Sequence, residues 1–399
     1  MYKIAMPEVY LFNPDNDLAL ANGDENYMPP SSARKMAEDL SLLPLWYASE
    51  GALILTSNYE NAFSWLEDIK HSFGISVDLI TENEIASFDS LILCPWGWNA
   101  TLLKHARQLG FLEDSLPDKI KIESIRKLSH RSLSVSLLRE LNISSSYCGY
   151  SEELMCDEAV RNFVEHYPRV LLKAPWSGSG KGLRPGKGVY TSHIKGWSNR
   201  IIKNQHCVIG EPFFDKVCDF AMEFSCDEDG KVHFAGYSFF ETDVRGAYKA
   251  NLLASDLTIE QRLAEFISLD DIHSLRDRLE EKLAASLNGK YKGYLGVDMM
   301  VCRFSEYPNY RIHPCVEVNL RMNMGLFSRL FYDRFLVKGK TGYFSVDYYQ
   351  NSRELLEDHL QKAKDYPLIL ENGRIASGYL SLTPFSQQSN YRASILIEG

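Results

Sequence analysis

The chain has 399 residues, of which 45% are hydrophobic and 24% are charged. This is the profile of a globular protein with a substantial core, long enough for two or three domains. A formal net charge of −10 argues against a protein that coats nucleic acid or an anionic membrane. A site for a negatively charged ligand would therefore be a local positive region in a negative molecule.

The composition also predicts the compartment. Residues 1–8 lack a basic segment followed by an apolar core, and no apolar run reaches 18 residues, so we expect neither a cleavable signal nor a membrane span. The eight cysteines show no Cys-x-x-Cys spacing, which is typical of reduced core cysteines rather than structural zinc ligands. We expect a cytoplasmic protein without nucleic-acid or membrane partners.

Residues 1 to about 125 alternate strand-like and helix-like segments, which predicts a mostly parallel, Rossmann-like α/β domain. Ser31 or Ser32 is expected to cap one helix, and Asn99 to cap another. Ligands of parallel sheets bind beyond the carboxyl ends of the strands. A polar and aromatic cluster stands there, as either a substrate site or a turn with packing tryptophans: Asn13, Asp15, Asn16, Asp17, Trp96 and Trp98.

The next segment, to residue 150, is a bridge. Lys119 to Glu123 is expected to be a strand. Ser132 to Leu141 carries leucines on one helical stripe and predicts a helix.

A hydrophobic run, Val170 to Leu172, ends in Lys173 and is followed by a loop rich in glycine and serine. The loop comprises Ser177, Gly178, Ser179, Gly180, Lys181 and Gly182. Free backbone N–H groups, hydroxyls and a lysine are groups that bind phosphate. The pattern favours a strand-loop phosphate site, and a simple glycine turn between strands is the alternative.

Two common phosphate-binding motifs do not fit this loop. A Walker loop needs glycine where Pro175 stands, and serine or threonine where Gly182 stands. The dinucleotide fingerprint would need a third glycine at Leu183. The loop is therefore a third kind of phosphate loop, or none.

Residues 203–240 read as antiparallel strands, with a hairpin turn at Asp229-Gly230. Glu211 is a lone acid in an apolar strand. Residues 241–256 are polar, as in a lid or an ordinary surface loop, and 258–287 predict amphipathic helices.

Two later strands carry a second polar group. Asp298 lies in one, and Glu317, Asn319 and Arg321 share one face of the next, opposite apolar neighbours. Two carboxylates and an amide oxygen suit Mg²⁺, although a solvent-facing sheet surface would give the same pattern. Residues 326–399 predict two helices and short strands, interpreted as an appendage that closes or pairs.

In this order, the lysine strand, glycine loop, acidic strands and Glu-x-Asn resemble the ATP-grasp superfamily, the fold of D-alanine–D-alanine ligase, glutathione synthetase and biotin carboxylase. The resemblance covers roughly residues 119–325. It implies two α+β subdomains that clasp ATP, preceded by the parallel α/β domain. The expected division is 1–125 (N-terminal domain), 126–206 (small subdomain), 207–340 (large subdomain with the metal site) and 341–399 (appendage).

The resemblance also implies a nucleotide site. Lys173 would contact ATP phosphate and the adenine region, and Ser177 to Gly182 would fold over the phosphates. Glu211 would be the hinge acid that receives the adenine amino group, with the Phe214 backbone nearby. Asp219 would hold the ribose hydroxyls.

The metal ligands implied are Asp298, Glu317 and Asn319, for one or two Mg²⁺ ions, with Mn²⁺ as a substitute. Arg321 matches an arginine that acts on an anionic substrate or intermediate. Family members usually have a phosphate-contacting lysine near the start of this helix, where this chain has Arg131. An arginine keeps the charge and can fork onto phosphate, but the replacement is not conservative, and a site without this contact is the alternative. Lys173, Arg131 and Arg321 are the expected catalytic residues.

The activity implied is that of an ATP- and Mg²⁺-dependent ligase. ATP would convert a small-molecule carboxylate to an acyl phosphate, which an amine or similar nucleophile then attacks. An ATP-grasp phosphotransferase and a nucleotide-binding sensor or scaffold without turnover are the alternatives. The pattern names neither substrate and gives no oligomeric state.

Overall fold

The computed structural model describes residues 6–57, 59–178, 182–243 and 248–399, and the strands in these ranges form three sheets. The first is a parallel sheet of four strands in the order β3-β2-β1-β4, as predicted for the N-terminal segment. Its elements are β1 (Glu8–Leu11), α1 (Asn16–Asn22), α2 (Ser31–Asp39), β2 (Ala52–Leu55), α3 (Tyr59–Phe73), β3 (Val77–Ile80), β4 (Ile92–Pro95) and α4 (Ala100–Leu109).

Two caps were predicted in this domain, and one is confirmed. Asn99 accepts a hydrogen bond from the Leu102 N–H at 2.9 Å at the start of α4. The prediction for Ser31 or Ser32 is wrong, because α2 begins directly after Pro30 and has no side-chain cap. The Pro30 carbonyl accepts from the first-turn N–H groups of Ala33 and Arg34, so the serines lie inside the first turn.

The second sheet is antiparallel, in the order β5-β8-β6-β7, and we call it the small sheet. Two helices precede it, α5 (Lys119–Leu128) and α6 (Ser132–Leu141). Its own segment contains β5 (Glu152–Leu154), α7 (Asp157–His166), β6 (Val170–Lys173), β7 (Leu183–Gly186), α8 (Ser192–Gln205) and β8 (Val208–Pro212).

The strand predicted at Lys119 to Glu123 is wrong, because this segment is the start of helix α5. Asp118 caps the helix by accepting from the Lys121 N–H at 2.7 Å. Ile122 and Ile125 are buried three residues apart, whereas Ile120 is 74% exposed. A strand would have placed Ile120 and Ile122 on the same face.

The third sheet has nine strands and is the main body of the fold, in the order β13-β12-β9-β10-β11-β14-β17-β16-β15. We call it the large sheet. Its segment contains β9 (Lys216–Cys226), β10 (Val232–Thr242), β11 (Tyr248–Leu253), α9 (Asp256–Leu263), α10 (Leu269–Leu287), β12 (Gly293–Arg303), β13 (Tyr310–Asn319), α11 (Met324–Phe335), β14 (Gly342–Tyr348), α12 (Ser352–Asp365), β15 (Ile369–Glu371), β16 (Arg374–Ser381) and β17 (Tyr391–Ile397).

The topology revises two expectations about the second half of the chain. The segment 241–256 contains β11, which pairs with β10 and β14 inside the large sheet, while residues 244–247 lie outside the described ranges. The C-terminal segment is not an appendage, because β14 joins β11 and carries β17, β16 and β15 beyond it. The four domain boundaries remain a prediction.

Trp46 joins the N-terminal domain to the C-terminal strands. Its side chain is fully buried and makes edge-to-face contacts with Phe73, Phe331 and Phe335. The indole N–H donates to the Leu382 carbonyl at 2.7 Å. The two ends of the chain therefore share one hydrophobic core.

The cysteines and the helices of the described ranges bear on two further expectations. The eight cysteines all lie within them, and none forms a disulfide. No helix in this part of the chain is long and apolar enough to cross a bilayer.

We expect Trp46→Ala to lower the free energy of unfolding by about 3–5 kcal/mol, because it opens a cavity between the two ends of the chain. Trp46→Phe keeps most of the packing and loses the indole hydrogen bond, for a loss of about 1 kcal/mol or somewhat more. Urea unfolding of the full chain measures both values. Leu257→Ala, at an exposed position, is the matched control, and an unchanged stability of Trp46→Ala would contradict a shared core.

Candidate nucleotide and metal site

A narrow pocket lies where the three sheets meet. The N-terminal domain contributes Asn16 and Asp17 from α1. The loop after β6 contributes Trp176 and Ser177, and β13 with the residues after it contributes the segment 317–321. The pocket thus brings together the glycine loop, the polar face of β13 and two members of the N-terminal cluster, Asn16 and Asp17.

The register of β12 against β13 brings the predicted metal ligands together. Asp298 stands opposite Glu317, and Gly296 stands opposite Asn319. Side chains of directly paired residues lie on the same face. The Asn319 Nδ2 donates to Asp298 Oδ2 at 3.1 Å. The three side chains are therefore neighbours on one face, with the buried Val318 turned to the other side.

The surroundings of the Asp298 carboxyl disfavour its ionised form. Burial is the main reason, and the carboxylates of Glu317 and Glu223 add to it, so that the pKa of Asp298 is raised to about 8. A nearby cation would favour the ionised form.

The donor set fits a hard divalent ion. Among the described residues there is no cluster of three or more His, Cys, Asp or Glu side chains that would enclose a metal. Two carboxylates and an amide are an open set, which suits Mg²⁺ because this ion retains waters and phosphate oxygens in its shell. The amide oxygen of Asn319 accepts from Arg321 Nη2 at 3.1 Å, so a metal would compete for it.

Arg131 connects this face to the glycine loop. It lies just before α6 and is 5% exposed. Its Nη2 donates to Glu317 Oε1 at 2.6 Å, and its Nη1 donates to Ser177 Oγ at 2.6 Å. Nη1 also donates to the Ala174 carbonyl. An arginine can contact both segments at once through two guanidinium nitrogens, whereas a lysine has only one nitrogen.

The described parts of the glycine loop close on the same place. The Ala174 N–H donates to the Gly182 carbonyl at 2.8 Å, which fixes the two ends of the loop. At Gly178 an added Cβ would lie 2.5 Å from Asp17 Oδ2, so glycine permits the approach of α1. Ser179, Gly180 and Lys181 fall outside the described residues.

Lys173 and Glu211 form a buried pair in the small sheet. Lys173 Nζ lies 2.7 Å from Glu211 Oε2, and the two side chains are 4% and 6% exposed. The same Nζ donates to the Val316 carbonyl of β13 at 3.4 Å. The lysine thus reaches from the small sheet to the backbone of β13 in the large sheet, one residue before Glu317.

Phe214 and Asp219 follow on the large-sheet side. The Phe214 ring contacts the ring of His313 on β13, with centroids 5.6 Å apart. Asp219 on β9 pairs with Met300 on β12 and accepts from Thr242 Oγ1 at 2.9 Å. Both residues border the strands that carry the predicted metal ligands.

Arg321 is bound to the N-terminal domain. Its Nε and Nη2 donate to the two carboxylate oxygens of Asp17, each at 2.7 Å. Burial alone would lower the pKa of Arg321, but the carboxylates of Asp17, Glu317 and Asp298 together outweigh burial and raise the pKa above its ordinary value. The guanidinium already holds a carboxylate, supplied by the chain itself.

The rest of the N-terminal cluster is mainly structural. Asn13 is buried, and its Nδ2 donates to the Gly97 carbonyl at 2.8 Å. Trp96 is buried against Phe12. The turn-and-packing alternative therefore fits Asn13 and Trp96, whereas Asn16 and Asp17 line the pocket.

Glu223 is a buried acid at the back of the site that the sequence did not single out as functional. It lies on β9, is 1% exposed, and accepts from Asn323 Nδ2 at 2.8 Å. Burial raises its pKa to about 7, against the lowering effects of Asn323 and Ser238. Strand alternation places Glu223 on the same face of β9 as Asp219. Its burial depends on the segment at Asn323, which is distant in the sequence and packs over it.

The comparisons with known proteins identify the fold. No family model matches the sequence, and no curated protein is significantly similar to it. Among solved structures, a biotin carboxylase–β,γ-ATP complex from Campylobacter jejuni aligns with a TM-score of 0.50 and 11% identity, over 98% of this chain and 87% of that one. This chain has the ATP-grasp fold.

Two further solved structures are examples of the same similarity. A structure of pyruvate carboxylase from Rhizobium etli aligns with this chain with a TM-score of 0.50 and 10% identity, over 98% of this chain and 35% of that one. An N5-carboxyaminoimidazole synthetase from Staphylococcus aureus, complexed with ADP, has a TM-score of 0.49 and 11% identity, over 100% and 94%. The ATP-grasp fold predicted from the sequence is confirmed, and the role of each site residue remains a prediction.

We expect Glu223→Gln to remove part of the pH dependence of stability. Between pH 4.5 and about 7 the native carboxyl keeps a proton that the unfolded chain releases, so the wild-type free energy of unfolding falls as pH rises through this interval. The variant should match the wild type near pH 5 and exceed it at pH 8, by up to about 3 kcal/mol. Urea unfolding at pH 5, 6, 7 and 8 measures the difference.

Glu50→Gln, at an exposed position, is the control for removing one carboxylate. Parallel pH profiles of the wild type and Glu223→Gln would show that Glu223 is ionised in the native state and would contradict its raised pKa.

Proposed function

We propose that this protein is an ATP- and Mg²⁺-dependent ligase that activates a small-molecule carboxylate as an acyl phosphate for attack by an amine or similar nucleophile. The observation that carries the proposal is the meeting of cations and oxygen ligands at one pocket. Arg131 contacts Glu317 at 2.6 Å, and Arg321 contacts Asn319 at 3.1 Å. The fold likeness supports it, since the Campylobacter jejuni structure is that of a biotin carboxylase–β,γ-ATP complex.

The proposed chemistry depends on charge neutralisation. A carboxylate is a poor electrophile, and phosphorylation gives it a leaving group. The transferring phosphoryl group spreads negative charge over its oxygens, so fixed positive groups stabilise the transition state. In this proposal Lys173 and Arg131 supply that charge from buried positions, where the low dielectric strengthens their effect.

Asp298, Glu317 and Asn319 would hold one or two Mg²⁺ ions. A bound Mg²⁺ would neutralise phosphate oxygens and orient them. The chain's own contribution is to position the ligands. Arg131 fixes one oxygen of Glu317, and the Asn319 amide fixes one oxygen of Asp298.

Arg321 would receive the anionic group of the substrate or of the acyl phosphate. Because Asp17 occupies the Nε and Nη2 donors of Arg321, an incoming carboxylate has to replace Asp17 or share the guanidinium with it. In this proposal the N-terminal domain takes part in substrate choice through Asp17. Glu211, Phe214 and Asp219 would line the nucleoside end of the site.

The proposal is tested by an ADP-release screen over amino acids and small carboxylates, singly and in pairs. A ligase releases ADP and free phosphate only when both the acyl and the amine substrate are present. Release of ADP without free phosphate would identify a phosphotransferase instead. Binding of ATP with Mg²⁺ and no ADP formation with any pair would identify a sensor or scaffold.

We expect Glu317→Gln to lower ADP release with the active substrate pair by about 100-fold or more, because it removes a charged metal ligand and the partner of Arg131. Electron paramagnetic resonance of Mn²⁺, titrated in the presence of ATP, should show weaker ion binding in the variant. Glu306→Gln, at an exposed position eleven residues before Glu317, is the matched control. Full activity and unchanged Mn²⁺ binding in Glu317→Gln would sink the metal assignment.

A further inference from the structure

One segment of the chain carries positive charge with no carboxylate to balance it. Residues 166–210 contain eight Lys or Arg residues and neither Asp nor Glu, although the whole chain has 53 acids and a formal net charge of −10. The segment supplies strands β6 and β7 of the small sheet and the helix α8. It is therefore a local positive region in a negative molecule.

Most of these cations are exposed and lack an acidic partner. Within the described ranges, the cations of this segment form only two ion pairs, those of Lys173 and Lys195. On helix α12, by contrast, two of the three cations pair with acids one turn away. Such pairing is the ordinary state of a solvated charged helix. The exposed cations left without an ion pair are Arg169, Arg184, Lys187, Arg200 and Lys203.

Helix α8 carries three cations on its outer side. Its buried residues include Ile194 and Trp197, which lie in the core of the small sheet. With 3.6 residues per turn, Lys195, Arg200 and Lys203 lie on the opposite half of the helix, and all three are exposed. The rise from the first to the last of them is about 12 Å.

The edge strand β7 extends this surface. A Cβ added at Gly186 would lie 2.7 Å from a Val170 methyl and 3.5 Å from Ile194, so this face of β7 packs against the helices. Arg184 is two residues away on the same face, and its guanidinium lies 5.8 Å from the centre of the Trp197 ring of α8. We call the four cations of this outer layer the basic face: Arg184, Lys195, Arg200 and Lys203.

The size and surroundings of the basic face indicate the partner. A stripe of about 12 Å matches a short run of acidic residues, since an extended peptide advances about 3.3 Å per residue. A longer polyanion such as duplex nucleic acid would also lie over the acidic remainder of the chain, which repels it. Trp197, the one Trp, Tyr or Phe residue of α8 and β7, is buried, so these elements offer no stacking surface to single-stranded bases.

We propose that the basic face is a docking surface for an acidic peptide segment of a partner protein. The surface is separate from the candidate nucleotide and metal site, and the inference does not depend on the proposed function. The two are neighbours, because Gln205 at the end of α8 accepts from the Trp176 N–H at 2.9 Å, and Trp176 lines the pocket. A peptide bound along α8 ends beside the start of the glycine loop.

The test is fluorescence anisotropy of a labelled hexaglutamate peptide, titrated with the full-length protein at low and at physiological salt. The wild type should bind the peptide, and binding should weaken as salt rises, because exposed ion pairs are screened. The variant Arg184→Gln/Arg200→Gln/Lys203→Gln should bind about 10-fold more weakly, the effect of losing three such pairs.

The matched control is Lys231→Gln/Lys290→Gln/Lys364→Gln, which removes three exposed cations from other elements and gives the same net charge. It should bind like the wild type. An equal loss in both triple variants would show that only net charge matters and would overturn the proposal, as would a wild type that binds no hexaglutamate. Melting temperatures check that the variants are folded, and the single variants Arg200→Gln and Lys203→Gln replace a triple variant that is not.

Two other occupants are distinguished by the same proteins. Tighter binding of a labelled oligothymidylate of equal charge than of hexaglutamate would assign the basic face to nucleic acid and overturn the peptide proposal. Salt-sensitive self-association of the wild type in sedimentation, lost in the Arg184→Gln/Arg200→Gln/Lys203→Gln variant and kept in the control, would assign the face to a second copy of the chain and would also overturn it.

Discussion

The buried guanidinium of Arg131 is the contact on which the geometry of the site depends. A cation removed from water is tolerated only with charged and hydrogen-bonded partners. Arg131 finds them on two segments distant in sequence, Glu317 on β13 and the backbone and hydroxyl of the loop at Ser177. Removing either partner would leave buried charge or donors uncompensated. The loop after β6, the start of α6 and the predicted metal ligands are therefore held in one relative position.

Around this contact the site contains several carboxylates, and few nearby cations balance their negative charge. Asp298 and Glu223 both have raised pKa values, to about 8 and about 7, with burial as the main cause. Arg131 is bound to Glu317, and Arg321 is bound most closely to Asp17. A divalent cation beside Asp298 would relieve this imbalance, which is an electrostatic reason, independent of the fold likeness, to expect a metal on this face.

The sequence predicted those parts of the site that depend on strand alternation. Asp298, Glu317 and Asn319 could be placed on one face because each strand has apolar residues on the opposite face, and the register confirms that they are neighbours. Short alternating runs were less informative. The isoleucines after Asp118 fit a strand over four residues, and only the cap and the buried Ile125 decide for a helix. The placement of β14–β17 in the large sheet depends on pairing with β11, which no local pattern encodes.

The link between Asp17 and Arg321 illustrates a further limit, since 304 positions separate the two residues. Their side chains are 24% and 18% exposed, so solvent partly screens the pair and limits its contribution to stability. The buried aromatic contacts of Trp46 with α11 hold the N-terminal domain in place more strongly. Because that core does not depend on the ion pair, the proposed exchange of Asp17 for a substrate carboxylate at Arg321 would leave the domain docked. The guanidinium is thus held in a defined orientation and can exchange one carboxylate for another, as substrate binding in the proposed reaction requires.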